Sequence, residues 1–498
     1  MKIKIYAILS ILSALLLVFL LSCGGDGETM PDDKNVASDI GANDGGDTKT
    51  PDGGLLYDSV PELDFDGYEF RVMTGKIEFF VWDFFPEQIG EVLNDSLYTR
   101  NKKIEERFNI QFKATSIDLL QLAQAMKKDV KAGADAYDEY MQIDRDAYTA
   151  SAEHLLYPVG DLPYVDLTRP YWCQLPNRQL TVGGKQYVAF SDEMLSFFEA
   201  AVIVYFNKKQ VADFGFEDFY GLIRSGNWTH DRFFEYAKLA VRDLDGDGKM
   251  GEADNWGIAS DTDLIYQCFW TSSGKYMVEK DSADIPYFAV PGNDTLFDVA
   301  EKVIDQFNSM DGLLMDGYKQ KFTQFGANGR TARVTFFKEG HSLFCVGFIP
   351  EMIQLRDMAD DFGILPFPKY TPDQAQYYTR ASGGFPFVIP TTNQRLEIAG
   401  AVMEAMACET RNVVIPAYYE SSLKTKYSRD ADTAEMLDLI YETRVYDLGD
   451  TIWYSPIRID YTNIFASGKN TFVSDTEKNT DKYNGIIQKA VEKILENS

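Results

Sequence analysis

The chain is 498 residues long, with a formal net charge of −29 and a pI near 4.5. That length exceeds what one compact core accommodates and fits two domains with room for a leader and a tail. With 77 acidic residues against 48 basic ones, it lacks the Lys and Arg clusters that hold nucleic acid or an anionic membrane, so neither is an expected partner. The 29 Tyr and 34 Phe slightly exceed what a core alone suggests, and aromatic faces are also what sugar rings stack on.

The first element is a leader. Lys2 and Lys4 precede an apolar run from Ile5 to Leu21, which ends in Leu20-Leu21-Ser22-Cys23-Gly24. This resembles the bacterial lipoprotein signal, so residues 1–22 are expected to be removed and Cys23 to become a lipidated N-terminus. An uncleaved transmembrane anchor competes with that reading, and the abrupt change after Cys23 disfavours it. A diacylglycerol on that thiol holds a protein at the bilayer surface without spanning it. The rest of residues 23–60 is an acidic tether rich in Gly, Asp, Thr and Pro, unable to bury enough apolar surface to fold.

Ordered sequence begins at Tyr68–Met73, whose alternation of apolar and polar residues is that of a half-buried strand. A helix capped by Asn94 or Asp95 follows, carrying Leu97, Ile104 and Phe108 inward, and Ile110–Phe112 reads as the next strand. A helix over Leu119–Ala132, a strand over Tyr137–Ile143 and a helix from Ala147 into Leu156 continue the rhythm of a parallel α/β sheet. Lys185–Phe190 is predicted to be a strand, and Ser196–Asn207 a long apolar strand crossing into a second lobe. There a helix opens with Thr229 as N-cap and Asp231 in its positive first turn, repeating Phe233, Phe234, Ala237, Ala240 and Val241 on one face. Further on, Thr331–Phe344 suggests a hairpin, Ala359–Tyr370 a strand broken by Pro, Ser382–Pro390 a strand and Leu396–Cys408 a helix. The remainder to Ser498 is largely helical, and no internal repeat is present.

Cys173, Cys268, Cys345 and Cys408 lie far apart without CxxC spacing, so buried free thiols are expected rather than a zinc site or a disulfide framework. His154, His230 and His341 are equally scattered, which makes a histidine-rich catalytic metal centre improbable.

One segment has the pattern of a calcium loop. In DLDGDGKMGEAD, Asp243, Asp245 and Asp247 stand at positions 1, 3 and 5, Gly248 at the turn, Lys249 offers its carbonyl at 7 and Gly251 acts through water at 9. Asp254 stands at position 12 where Glu is usual, so it reaches an ion with one oxygen or through water. An acidic turn held by its own Asx bonds is the alternative. Since Asn255-Trp256-Gly257-Ile258 beyond it is strand-like, there is no helix pair to open, and a structural Ca2+ fixing a helix-to-strand turn is expected instead of a sensor.

Taken together, the lipobox and tether, YEFRVM, NDSLYTRNKKIEERFNI, YFNKK, GNWTHDRFFEYAK, the acidic loop, FFKEGHSLF, DDFGILPFPKY and PAYYESSLKTKYSRD resemble the extracellular solute-binding lipoproteins of bacterial ABC importers, in the sugar-binding group that includes maltose-binding protein. The resemblance implies an α/β, two-lobed periplasmic-binding-protein-like fold with discontinuous lobes, a multi-strand hinge and an inter-lobe ligand cleft. Residues 61–198 plus 367–408 would form the N-terminal lobe, and 199–366 plus 409–498 the C-terminal lobe. It further implies a monomer that captures a carbohydrate, an oligosaccharide above all, and hands it to permease subunits by hinge closure. No covalent chemistry and no catalytic cofactor are needed.

Site residues follow from the same resemblance. Asp144 and Arg145 match by position an Asp-Arg pair that contacts sugar hydroxyls, Glu199 falls at or beside a hinge carboxylate, and Asp192 and Glu193 lie on the loop before it. Trp82, Trp270, Phe348 and Trp453 are candidate stacking platforms, with Arg380 on the rim. For each a structural role competes, because buried acids are commonly ion-paired and buried aromatics commonly core. A receptor for peptides or other small solutes on the same fold, and a lipid-anchored glycoside hydrolase with paired carboxylates, are the rival functions.

Overall fold

The computed structural model describes residues 55–76, 84–320, 322–418 and 431–496. Cys23 and Trp82 lie outside them. Strands β1 (Tyr68–Lys76), β2 (Ile110–Asp118), β3 (Glu139–Met141), β4 (Leu156–Tyr157) and β13 (Phe387–Pro390) build one sheet in the order β2-β1-β3-β13-β4. Strands β5 (Val202–Asn207), β6 (Trp256–Ser260), β9 (Leu314–Asp316), β10 (Ser342–Phe348) and β11 (Phe362–Leu365) build a second in the order β11-β5-β10-β6-β9. Both sheets mix parallel and antiparallel pairs, and their helices cover them as in α/β proteins.

In the first body, β1 and β2 run parallel in register from Tyr68↔Ile110 to Lys76↔Asp118. The helix Val92–Phe108 that joins them buries Leu93, Leu97, Ile104 and Phe108. Its cap is Glu91, whose carboxylate accepts from Asn94 N, and not Asn94 or Asp95. Asp95 sits inside the first turn, where its carboxylate holds the Ile89 and Gly90 amides of the preceding turn. Asn109 ends the helix in the left-handed region at φ 48°.

The second body keeps the predicted helix His230–Ala240, where the Thr229 side chain accepts from Arg232 N and Phe233, Phe234, Ala237 and Ala240 are buried. Three expectations fail here and nearby. Thr331–Phe344 is not a hairpin but the helix Gly329–Lys338 leading into β10. Asn328 caps that helix, and Ala332, Arg333, Phe336 and Phe337 recur on its buried face with helical spacing, a period that the β-branched residues between them disguise. Ser196–Asn207 divides into a short helix, Ser196–Glu199, and β5, which is buried on both faces. Lys185–Phe190 forms no strand: Asn177 and Gln186 side-chain amides bond its backbone in place of a ladder.

Between the bodies the chain passes three times, in register. Ala201 bridges to Ala381, and the two-residue strands β12 (Thr379–Arg380) and β14 (Arg444–Val445) pair in parallel. Ser382 N donates to Ala200 O at 3.0 Å and Ala381 N to Val445 O at 3.0 Å. A further hairpin, β7 (Val278–Lys280) with β8 (Pro286–Phe288), projects from the second body. Cys173, Cys268, Cys345 and Cys408 are free thiols, the last three buried. Among the described residues no helix is long and apolar enough to cross a membrane.

Candidate ligand cleft

The carboxyl ends of strands from both sheets converge on the crossing. On the first side β3 ends at Met141; Gln142 N donates to Pro386 O at 3.0 Å and Asp144 N to Gly384 O at 3.2 Å. Asp144 opens the helix Asp144–Ala152, and Tyr446, just past β14, donates its hydroxyl to Asp144 Oδ2 at 2.9 Å. Burial pushes the Asp144 carboxyl up to about 6, with Arg145 and Tyr446 opposing the rise. Gly383 sits at φ 130°, and a Cβ there would lie 2.8 Å from Asp144 Oδ2, so only glycine fits that close approach. Arg145 is half-buried, and its guanidinium makes no hydrogen bond among the described residues.

On the second side Asp261 follows β6, Asp316 ends β9 and Phe348 ends β10, with Ile349 N bonded to Ala201 O at the crossing. Arg333 lies wholly buried between Asp261 at 2.7 Å and Glu351 at 2.6 Å. Arg330 reaches Glu351 at 2.7 Å and stands over the Phe348 ring at 5.4 Å. Burial raises the Asp261 carboxyl to about 7 despite Arg333. Burial also acts on Glu351, but two guanidiniums overcome it and hold that carboxyl below its usual range. Arg458 reaches Asp263 at 3.1 Å, and Arg380 forks onto Asp450. The result is a band of paired acids and arginines along the crossing.

The predicted residues distribute unevenly over this frame. Asp144, Arg145 and Phe348 lie where strand ends meet the crossing. Trp453 is buried edge-on to Tyr148, one turn beyond Asp144, at 5.7 Å. Trp270 packs against Tyr461 and Phe465, and Arg380 is committed to Asp450. Asp192 is held by Arg411 at 2.6 Å and by the Tyr441 hydroxyl at 2.7 Å. The Tyr418 hydroxyl donates to Glu199 at 2.7 Å. Glu193 is buried and pushed up to about 8, with Arg100 opposing, and its Oε1 has no partner among the described residues. The sequence reading missed Tyr446, Asp261, Asp263, Arg333, Glu351 and Arg458. The Asp261-Thr262-Asp263 step from strand into helix is the one signal among these that the sequence carries.

Several polar atoms near the crossing are buried without a partner among the described residues: both side-chain amide atoms of Gln142, Tyr148 Oη, Asp261 Oδ1, Gln267 Oε1 and Trp270 Nε1. An unsatisfied buried group costs roughly 1–3 kcal/mol, so a neighbourhood holding several is one that water or a hydroxyl-rich guest relieves.

The acidic loop lies at the other end of β6. It leaves the helix His230–Ala240, and an Arg242↔Asn255 bridge closes its neck before Trp256 begins the strand. Asp243, Asp245 and Asp247 are exposed, with carboxylate oxygens within 4.8 Å of one another. They also bond the loop's own amides, Asp243 accepting from Gly246 and Gly248 N, Asp245 from Asp247 N and Asp247 from Lys249 N. Asp254 is buried with both oxygens committed, to Leu244 N at 2.8 Å and Gly251 N at 2.6 Å. The first three residues fit a cation, whereas Asp254 is oriented as a loop brace. Five residues of strand, roughly 17 Å, separate this loop from Asp261.

No family model matches the chain. A polygalacturonan/rhamnogalacturonan-binding protein, YtcQ of Bacillus subtilis (strain 168), is 26% identical over 269 residues, 52% of this chain and 48% of that protein. The chain thus spans about half the length of this relative. Among solved structures, a cyclo/maltodextrin-binding protein complexed with maltotetraose superposes with a TM-score of 0.54 at 16% identity, over 87% of this chain and 98% of that one. The ABC substrate-binding protein Lmo0181 from Listeria monocytogenes, in complex with cycloalternan, gives 0.52 at 12% identity, over 85% and 99%. RafE from Streptococcus pneumoniae, in its apo form, gives 0.54 at 14% identity, over 87% and 100%. The fold is therefore the two-lobed, periplasmic-binding-protein-like one, shared with proteins solved in complex with maltotetraose and with cycloalternan.

Proposed function

We propose that this chain is the substrate-binding lipoprotein of an ABC importer, capturing an oligosaccharide between its two bodies and delivering it to the permease by hinge closure. The observation that carries the reading is the convergence of β3, β6, β9 and β10 on a triple crossing, in a fold shared with structures that hold maltotetraose and cycloalternan. Ligands of α/β sheets collect at such carboxyl ends, and hinge closure buries them. A guest bridging Asp144 and Arg145 on one side and Phe348 on the other is bound fully only when both bodies meet, so it shifts the population toward the closed form. Lipid on Cys23 holds the receptor to the outer face of the cell membrane. The Asp243–Asp254 loop takes a structural Ca2+ without touching the guest.

Binding of maltodextrins and of polygalacturonan and rhamnogalacturonan fragments, followed by calorimetry with product analysis, tests the reading. Saturable binding with the sugar recovered intact is expected; turnover would instead establish the glycoside hydrolase alternative. Oligopeptides in the same series test the non-sugar receptor.

A further inference from the structure

A contact away from the strand ends also fastens the two bodies together. Residues 178–185 belong to the first: Lys185 pairs with Asp161 at 2.7 Å, Gly160 N donates to Gln186 O, and nearby Tyr171 and Trp172 donate to Glu404 of the helix Leu396–Glu409. The β7–β8 hairpin is inserted between the helices Thr262–Ser272 and Asp294–Asn308 of the second, and Phe288 N donates to Asn484 Oδ1 of the C-terminal helix at 2.9 Å while its ring meets Tyr483 edge-on at 5.0 Å. Gly183 and Gly184 form a tight turn at φ 57° and 77°, closed by a Val182↔Lys185 bridge, a conformation that selects glycine. Asp284, at the hairpin tip with φ 62°, takes both amides of that turn. Gly183 N donates to its carbonyl at 3.0 Å and Gly184 N to its Oδ2 at 2.9 Å. Thr181 Oγ1 donates to Asp284 Oδ1 at 2.9 Å, and Lys280 Nζ, almost buried, bonds Asp284 Oδ1 at 2.8 Å and Thr181 Oγ1 at 2.7 Å. A Cβ on Gly183 would meet Leu495 Cδ2 at 2.7 Å, so the turn also seats against the C-terminal helix.

We propose that the hairpin Val278–Phe288 is a clasp whose Asp284 grips the Gly183–Gly184 turn, holding the two bodies together and setting how fast they part. Two main-chain amides and the Thr181 hydroxyl donate to Asp284 across the contact, so the grip depends on the shape of the turn as well as on one matching side chain. Apart from Lys280 at the end of β7, the members are a surface loop and a hairpin tip, the class of element that opens at low free-energy cost. The clasp thus couples to closure without contacting the guest, and that consequence rests on the receptor reading above.

The test uses the full chain, ligand-free, as wild type, Asp284→Ala and Asp284→Asn. Amide exchange in the 178–186 segment is expected to quicken about tenfold in Asp284→Ala, with a larger radius of gyration in solution scattering and an unchanged far-ultraviolet spectrum. Asp284→Asn keeps the acceptor carbonyls and should fall between the two; if Asp284→Ala does not fold, this variant is compared with wild type alone. Exchange and radius both at wild-type values in a folded variant would overturn the clasp. Failure of the wild type to bind any oligosaccharide would sink the receptor reading and leave these ligand-free results standing.

Discussion

Tyr446 and Asp144, 302 positions apart, are joined by a 2.9 Å hydrogen bond that ties the last passage of the crossing to the first turn of the helix at the cleft. Removing it with Tyr446→Phe leaves a buried carboxyl short of a donor, at a cost of roughly 1–3 kcal/mol. The expected outcome is a lower urea midpoint together with weaker sugar binding. A midpoint that falls with affinity unchanged would make the contact purely structural.

Arg145 is a cation at the strand ends whose guanidinium makes no hydrogen bond among the described residues. Arg145→Ala should fold with a thermal midpoint near that of the wild type and lose roughly 1.5–3 kcal/mol of sugar affinity, the range for hydrogen bonds from charged groups. Calorimetric titration of both proteins checks it.

Arg333 behaves in the opposite way. It is buried between Asp261 and Glu351, and truncating it strips Asp261 of its guanidinium and leaves Glu351 with Arg330 alone, so Arg333→Ala should cost roughly 3–5 kcal/mol. The exposed pair Lys113–Glu69 is the control, since breaking an exposed pair costs under about 1 kcal/mol. Chemical denaturation of the two variants separates them.

Buried Glu193 gives a pH dependence of definite sign. Burial raises its carboxyl, together with that of its buried neighbour Glu139, above the ordinary carboxylate range, so over a pH window above 4.5 the native state binds more protons than the unfolded state. Stability should therefore decline as pH rises through that window and be fully present below it. Glu193→Gln, which mimics the protonated form, should match the wild type at the acid end and exceed it at the alkaline end. Thermal midpoints across the range decide, and parallel curves for the two proteins would contradict the assignment.

For the acidic loop, Ca2+ should raise the thermal midpoint of the wild type, by preferential binding to the folded state, but not that of Asp245→Ala. Sugar affinity should be equal in both. Loss of sugar binding in Asp245→Ala with no change in the calcium response would remove the loop from a structural role.

Local signals were legible where one residue and its near neighbours decide the outcome. Thr229 caps its helix because a Ser/Thr-type cap before a periodic apolar run needs nothing from elsewhere. Gly329–Lys338 was misread because its β-branched residues mimic a strand, and the deciding contacts come from the sheet it packs on. The same limit applies to the cleft. Nothing near Asp192 in the sequence points to Arg411, 219 positions away, as its partner, nor near Arg380 to Asp450. Asp144–Arg145 comes from the resemblance, by its position after a strand, whereas Tyr446, which donates to Asp144, has no local mark at all.

The most direct test of the central claim is solution scattering of the full chain titrated with an oligosaccharide that binds it. If the two bodies close on an intact sugar, the radius of gyration falls in step with saturation and the sugar is recovered unchanged. Saturable binding with no change in radius, or release of shortened sugars, would contradict a receptor that works by closing its cleft.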